Sequence, residues 1–158
     1  MIKTSNIILL YRASKDGFLA STFHLKCDGK EKTITIIKNN LDYVFGGYTS
    51  AKWSSDGKYK EDGEAFIFSL RRNGISCNKK FMISNPEEAI YGYVNYGPTF
   101  GGGHDLRIFN ESNVKTGSYT NFGYSYEVCD CQIENSKNFL AGNYFDWLTT
   151  EIEVYQII

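Results

Sequence analysis

Apolar and polar residues follow one another along this chain in short blocks of strand length. Residues 7–11 form a continuous apolar run, which is typical of a strand covered on both faces. Residues 33–38 alternate polar with apolar side chains, a turn signal follows at 39–42, and residues 43–48 return to an apolar pattern. This succession predicts a buried first strand and, after it, an antiparallel hairpin.

The rest of the chain continues as strands separated by turns. Leu19, Phe23 and Cys27 recur four residues apart and predict a short amphipathic helix over residues 18–26. Residues 54–64 have no apolar period and are predicted to form a surface loop. Further strands are predicted at residues 65–70, 79–83, 106–109 and 151–157.

The composition agrees with a strand-rich fold and narrows the class of protein. The 158 residues include 12 Tyr, 11 Phe and 2 Trp beside 15 Gly and 2 Pro; aromatic residues favour strands, and Gly favours the turns between them. The 17 Lys and Arg residues are balanced by 18 Asp and Glu, so the chain lacks the excess positive charge that nucleic-acid binding needs. Because we find no repeat or linker, residues 1–158 are predicted to form one mostly β domain with its core at about 7–157.

The first apolar run and the cysteines indicate where the protein works. The run at residues 7–11 is too short for a membrane span or a signal sequence. The four cysteines, Cys27, Cys77, Cys129 and Cys131, are too few and too scattered for a disulfide framework. We therefore expect a protein of the reducing cytoplasm that does not insert into membranes.

Two glycine clusters interrupt the pattern. Gly46 and Gly47 are adjacent inside a predicted strand, which indicates a bulge or a close approach by another element. Gly101, Gly102 and Gly103 could in principle cradle a phosphate with their backbone N–H groups. The Lys-Ser or Lys-Thr ending of a phosphate-binding loop does not follow them, and a strand rather than a helix is predicted next. A tight turn is the preferred interpretation, and no cofactor is predicted.

Candidate catalytic or metal-binding groups are scarce, since the chain has only 2 His. His24 with Cys27, Cys129 and Cys131 supplies the residue types of a zinc site, although their spacing fits a metal poorly. A nucleophile built from Cys27 and His104 stays open, because adjacency in space is invisible in the sequence. Free cysteines are commonly small buried hydrophobes, so neither a metal nor a catalytic residue is predicted.

Six strings in a fixed order resemble a known family. They read LLYRASKDGF at residues 9–18, FHLKCDG at 23–29, FGGY at 45–48, AFIFSL at 65–70, GPTFGGGHDL at 97–106 and EIEVY at 151–155. This ordered set resembles the TLDc domain, the module of the oxidation-resistance protein family, over nearly the whole chain. The resemblance implies a two-sheet antiparallel β-sandwich flanked by a few short helices. It also implies a role in protection against oxidative stress and, for several members, binding to the vacuolar proton-pumping ATPase (V-ATPase).

The same resemblance assigns a set of partner-binding residues by their match to the family's motifs. They are Gly17, Gly46, Gly47, Gly101, Gly102, Gly103, Glu151 and Glu153. No reaction is securely attached to the family, so the expected function is that of a non-enzymatic protein-interaction module. Two alternatives stay open: a redox-active or enzymatic domain that uses an exposed Cys27 with His24, and a metal-binding domain.

Overall fold

The computed structural model describes residues 5–128, 133 and 135–158. Within these residues the chain forms ten strands, three short α-helices and one 3-10 turn at Pro86–Glu88. The strands are β1 (Ile7–Arg12), β2 (Thr33–Asn39), β3 (Val44–Thr49), β4 (Lys58–Lys60), β5 (Phe66–Arg72), β6 (Ile75–Met82), β7 (Ile90–Gly92), β8 (Tyr96–Phe100), β9 (Leu106–Phe109) and β10 (Thr149–Ile157). The helices are α1 (Ala13–Asp16), α2 (Ala20–Cys27) and α3 (Ser136–Phe139).

The strands form two antiparallel sheets with a shared aromatic core. One sheet has six strands in the order β1-β10-β2-β3-β5-β6, and the other has four strands in the order β4-β7-β8-β9. In the core, the rings of Trp53 and Phe100 have centroids 5.5 Å apart, and those of Phe45 and Trp147 are also 5.5 Å apart. The prediction of a mostly β, two-sheet antiparallel sandwich with a few short helices is confirmed.

The predicted hairpin is present as β2 and β3, in the middle of the larger sheet. On β2, Thr35 and Ile37 are fully buried, whereas Ile34 and Ile36 are half-buried. Successive side chains of a strand point to opposite faces. The alternation in the sequence therefore separates an inner face, which packs in the core, from an outer face.

The predicted helix is also present, as α2, with Phe23 and Cys27 buried and Leu19 exposed just before its first residue. An eight-residue helix of this kind covers one end of the sandwich through its apolar stripe. Among the helices of the described residues, none is long and apolar enough to cross a membrane.

The prediction of a buried first strand is wrong. β1 is an edge strand that pairs with β10 alone, and Ile7, Ile8 and Leu9 are 64%, 45% and 40% exposed. After a bulge between Leu9 and Tyr11, Tyr11 lies in the core at 1% exposure. A short apolar run is equally compatible with an edge strand, because only the neighbouring elements decide how much of it is covered.

Long-range contacts decide the structure of two further segments. Residues 124–128 form no strand; Tyr126 makes only an isolated bridge with Ile83, since backbone N–H groups of this segment bind the carboxylate of Asp105 instead. The predicted loop at 54–64 contains the short strand β4, which exists because it pairs with β7.

Candidate interaction surface

The redox candidate Cys27 is sealed in the core. Its side chain is fully buried at the end of α2, and burial raises the pKa of its thiol to about 12. The thiolate is the reactive form of cysteine, so this environment disfavours reaction with peroxide. Among the described residues, no histidine nitrogen lies within hydrogen-bond distance of the Cys27 sulfur. The structure thus shows no base that would activate it.

His24 holds a turn in place. Its Nε2 donates to the backbone carbonyls of Tyr93 and Tyr96, both at 2.8 Å, and its Nδ1 lies 2.7 Å from the carboxylate of Asp28. The side chain is buried, and both ring nitrogens have partners. His24 therefore fixes the turn between β7 and β8 against α2.

Of the four residues considered for a zinc site, only His24 and Cys27 are among the described residues. Cys129 and Cys131 lie outside the described residues. Where the structure describes the chain, no three His, Cys, Asp or Glu side chains come close enough together to hold a metal ion. His104, the other candidate base, stacks its ring on Tyr91 with centroids 5.3 Å apart, away from Cys27.

Gly46 and Gly47 occupy positions where the backbone is closely approached, as predicted. A Cβ atom on Gly46 would lie 1.8 Å from the carbonyl oxygen of Thr35, and one on Gly47 would lie 2.6 Å from the ring of Phe100. Both residues are buried in β3. Packing alone therefore requires glycine at both sites, and the partner-binding role assigned by resemblance stays a prediction.

Gly101, Gly102 and Gly103 form the tight turn between β8 and β9. Gly101 has φ +90°, and a Cβ atom there would meet the carboxylate of Asp105. This carboxylate is fully buried and accepts backbone N–H groups of the four consecutive residues 123–126 at 2.9 to 3.1 Å. Burial raises the pKa of Asp105 to about 6, while these N–H groups act in the opposite direction. Asp105 thus ties the glycine turn to the segment that follows β9.

Gly17, Glu151 and Glu153 lie around the β1 edge of the larger sheet. Gly17 ends α1 with φ +105° and open space at its Cβ position. Glu151 accepts the N–H of Ser14 at 3.0 Å, and Glu153 forms an ion pair with Arg12 at 3.1 Å. The eight residues assigned by resemblance are therefore divided between the two sheets: Gly46 and Glu153 both pair with Ile36 in the larger sheet, whereas Gly101, Gly102 and Gly103 lie in a turn of the smaller one.

The outer face of the four-stranded sheet carries a surface that the sequence analysis missed. Tyr59 on β4 and Tyr91 on β7 are cross-strand neighbours with ring centroids 4.7 Å apart. The ring contacts continue from Tyr91 to His104 at 5.3 Å and from His104 to Tyr119 at 6.1 Å. All of these side chains are at least partly exposed. We call this surface the tyrosine band; it consists of Tyr59, Tyr91, Tyr93, Tyr96, His104, Arg107, Tyr119 and Tyr144.

Arg107 on β9 places a positive charge in the tyrosine band. Its guanidinium carbon lies 3.9 Å from the ring centroid of Tyr119 and 4.6 Å from that of Tyr96. Nη1 donates to the Tyr96 hydroxyl at 3.2 Å, and Nη2 donates to the carbonyl of Gly117 at 2.8 Å. No carboxylate of the described residues lies within ion-pair distance of Arg107. Aromatic faces rather than an acid thus accompany this charge.

The tyrosine band also changes the pKa of His104. Burial, and secondly the charge of Arg107, lower the pKa of His104 to about 4. The ring is therefore neutral near pH 7, where its Nδ1 lies 3.2 Å from the Tyr119 hydroxyl. The band combines aromatic rings with one fixed positive charge.

The number of tyrosines in the sequence was a signal of the tyrosine band, but it did not give the band's location. Six of the 12 tyrosines belong to it, and Tyr91 and Tyr93 stand two residues apart. Tyr59, however, lies in a segment without apolar period, and only the pairing of β4 with β7 brings it beside Tyr91. The count of tyrosines could have raised the question of a tyrosine-rich surface, but not its location.

Curated relatives match part of this chain. The GTPase-activating protein skywalker of Drosophila melanogaster is 29% identical over 126 residues, which are 70% of this chain and 21% of that protein. TBC1 domain family member 24 is 30% identical in Xenopus tropicalis and 29% identical in Xenopus laevis, each over 89 residues. Those residues are 52% of this chain and 16% of each relative. The chain therefore spans about a fifth or less of these proteins, and their whole-protein activities do not transfer with the match.

A comparison with protein families covers the chain completely. The model of the TLDc domain matches residues 1–158. This agrees with the two-sheet antiparallel architecture and with the ordered motifs of the sequence. The chain belongs to the TLDc domain family.

Proposed function

We propose that this domain is a non-enzymatic protein-interaction module that works in the cytoplasm, binds the V-ATPase through the tyrosine band, and thereby contributes to protection against oxidative stress. Membership of the TLDc family supports the general role. The pump and the stress response come from the resemblance to members that have these properties.

The observation that carries the proposal is the composition of the tyrosine band. Tyr and Arg are enriched in the residues that dominate protein-protein binding energy, because they supply large contact areas with a polar end. Here Arg107 lies between the rings of Tyr96 and Tyr119, with its orientation fixed by hydrogen bonds. A preorganised surface loses little side-chain entropy on binding.

The glycine turn adds a link between this surface and the residues assigned by resemblance. The Tyr59 hydroxyl donates to the carbonyl of Gly102 at 2.8 Å, so the turn borders the tyrosine band. The turn also carries His104 into the band. Changes at Gly101, Gly102 or Gly103 would therefore disturb the proposed surface without direct contact with the partner.

The burial of Cys27 speaks against the redox alternative, since an effective scavenging thiol is accessible and has a lowered pKa. No observation in the described chain favours a metal-binding function. We therefore carry forward only the interaction module.

The proposal is tested by measuring the binding of the purified domain to purified V-ATPase. Tyr59→Ala removes an exposed ring of the band and is expected to weaken binding about tenfold or more, as for a contact residue worth over 1 kcal/mol. Tyr155→Ala is the matched control, because Tyr155 is a half-buried tyrosine of the other sheet. Its binding should equal that of the wild type.

The outcomes separate the two parts of the proposal. If the wild-type domain does not bind the pump, the assignment of the partner is wrong. If it binds, but Tyr59→Ala and Tyr155→Ala both bind like the wild type, the tyrosine band is not the interface. Thermal unfolding followed by circular dichroism verifies that both variants are folded.

A further inference from the structure

An open apolar pocket lies on the outer face of the six-stranded sheet, which does not carry the tyrosine band. Its volume is about 360 Å³, and its walls include Ile34 and Ile36 on β2 and Phe66, Phe68 and Leu70 on β5. Small-molecule sites are typically concave, mostly apolar and roughly 300 to 1,000 Å³ in volume. The pocket is within this range.

The backbone of β3 explains why the pocket exists. Gly46 stands between Ile36 and Phe68 and pairs with both of them. Having no side chain, Gly46 lets the ring of Phe68 lie so close that a Cβ atom would be 2.9 Å from it. The ring of Phe68 therefore occupies the space over Gly46 and forms part of the pocket wall.

Three polar residues of β6, Asn78, Lys79 and Lys80, line the pocket. Lys80 pairs with Phe68 across the β5–β6 ladder, and Asn78 lies at an irregularity of this ladder between Ser76 and Lys79. The Lys80 ammonium lies 4.0 Å from the ring centroid of Phe66, a wall residue. Within the part of the chain that the structure describes, neither Asn78 nor the ammonium of Lys80 makes a hydrogen bond or an ion pair.

One acidic residue of this face already has partners. Glu153 on β10 is the cross-strand neighbour of Ile36 on β2, and its carboxylate is held by Arg12 at 3.1 Å and by the Tyr155 hydroxyl at 2.5 Å. Among the described residues, no carboxylate forms an ion pair with Lys80, so its charge is available to an anion. A ligand that fits must join a negative group to an apolar body.

We propose that this pocket binds a small amphiphilic carboxylate. The carboxylate accepts charge-assisted hydrogen bonds from the Lys80 ammonium and from the Asn78 amide, and the aliphatic chain covers Ile34, Ile36 and Phe68. The volume of about 360 Å³ is that of a small-molecule site, and the apolar walls beside one ammonium match a small amphiphile. This ligand site is independent of the proposed protein interface on the other sheet.

Isothermal titration calorimetry with sodium decanoate, kept below its micelle concentration, tests the proposal on the intact chain. Decanoate is expected to bind saturably and one to one, and decanol, which has the same chain without the charge, about tenfold more weakly. Lys80→Gln is expected to weaken decanoate binding by about the same factor. Lys52→Gln removes an exposed lysine outside the pocket and should leave binding unchanged.

Three results would overturn the proposal. They are decanoate binding that does not saturate, decanol binding as tight as that of decanoate, and equal effects of Lys80→Gln and Lys52→Gln. If decanoate does not saturate, an acidic protein segment is the better candidate for the occupant. Either of the other two results would show that the pocket is a non-specific apolar surface. Ile36→Gln gives a second variant that places a polar group in the pocket wall and must also weaken binding. None of these measurements involves the V-ATPase, so their failure does not affect the proposed function.

Discussion

Replacing Gly46 with alanine places a methyl group inside the ladder between β2 and β3. The new Cβ atom would lie 1.8 Å from the carbonyl oxygen of Thr35 and 2.9 Å from the ring of Phe68. The ring can move at a cost, but the carbonyl belongs to the backbone of a central strand. The two strands must therefore separate locally, and the wall of the pocket must repack.

The free-energy cost follows from these two displacements. Separation of the strands loses about two backbone hydrogen bonds, each worth ~1 kcal/mol. Repacking of the Phe68 ring adds the cost of overpacking, roughly 1 to 3 kcal/mol. We expect Gly46→Ala to lower the free energy of unfolding by about 3 to 5 kcal/mol, a large share of the 5 to 15 kcal/mol typical of a domain.

Urea unfolding followed by tryptophan fluorescence measures this change, because Trp53 and Trp147 are both buried. The control is Gly63→Ala, since Gly63 has open space at its Cβ position and no strained φ. It should change the free energy of unfolding by less than about 0.5 kcal/mol. A wild-type midpoint for Gly46→Ala would refute the steric reasoning. If the prediction holds, loss of partner binding on substitution of Gly46 reports unfolding rather than a lost contact.

Three further outcomes are expected. The folded pKa of Asp105 is about 6 against 3.8 in the unfolded chain, so the folded state holds the extra proton between these values. As the pH falls from about 7 to 4, the free energy of unfolding of the wild type should therefore rise by about 2 kcal/mol relative to that of Asp105→Asn. Parallel pH profiles of the two proteins in urea unfolding would contradict this. His24→Leu removes the imidazole donor from the carbonyls of Tyr93 and Tyr96, of which the Tyr93 carbonyl keeps the N–H of Tyr96, and should cost about 2 kcal/mol in the same assay; an unchanged midpoint would show that α2 does not hold the β7–β8 turn. Cys27 should resist alkylation under native conditions while half-buried Cys77 reacts, as mass spectrometry of the alkylated peptides can show; equal rates would indicate that the core opens around Cys27.

Local patterns in the sequence predicted much of the larger sheet. The alternation at residues 33–38 predicted a strand of a hairpin, and β2 is that strand, although its apolar residues Ile34 and Ile36 face outward while Thr33 and Thr35 are buried. The adjacent glycines Gly46 and Gly47 indicated a close approach, which Thr35 and Phe100 provide. These inferences succeeded because the two-residue period of a strand and the missing Cβ of glycine act on immediate neighbours.

The candidate surfaces depended on pairings that local patterns do not encode. The tyrosine band needs Tyr59 of β4 beside Tyr91 of β7, more than thirty residues away along the chain. The pocket likewise needs β2, β5 and β6 on one face, with Gly46 between them.

The sequence by itself determined the class of fold, the hairpin of β2 and β3, and the family motifs of this protein. The tertiary structure decided that β1 lies at an edge, that the apolar residues Ile34 and Ile36 of β2 face outward, that Cys27 is buried in the core, and that Asp105 binds the backbone N–H groups of residues 123–126. The physical reason is that the two-residue period of a strand decides which side chains share a face. The exposure, the pKa and the partners of those side chains depend on which distant elements pack against that face.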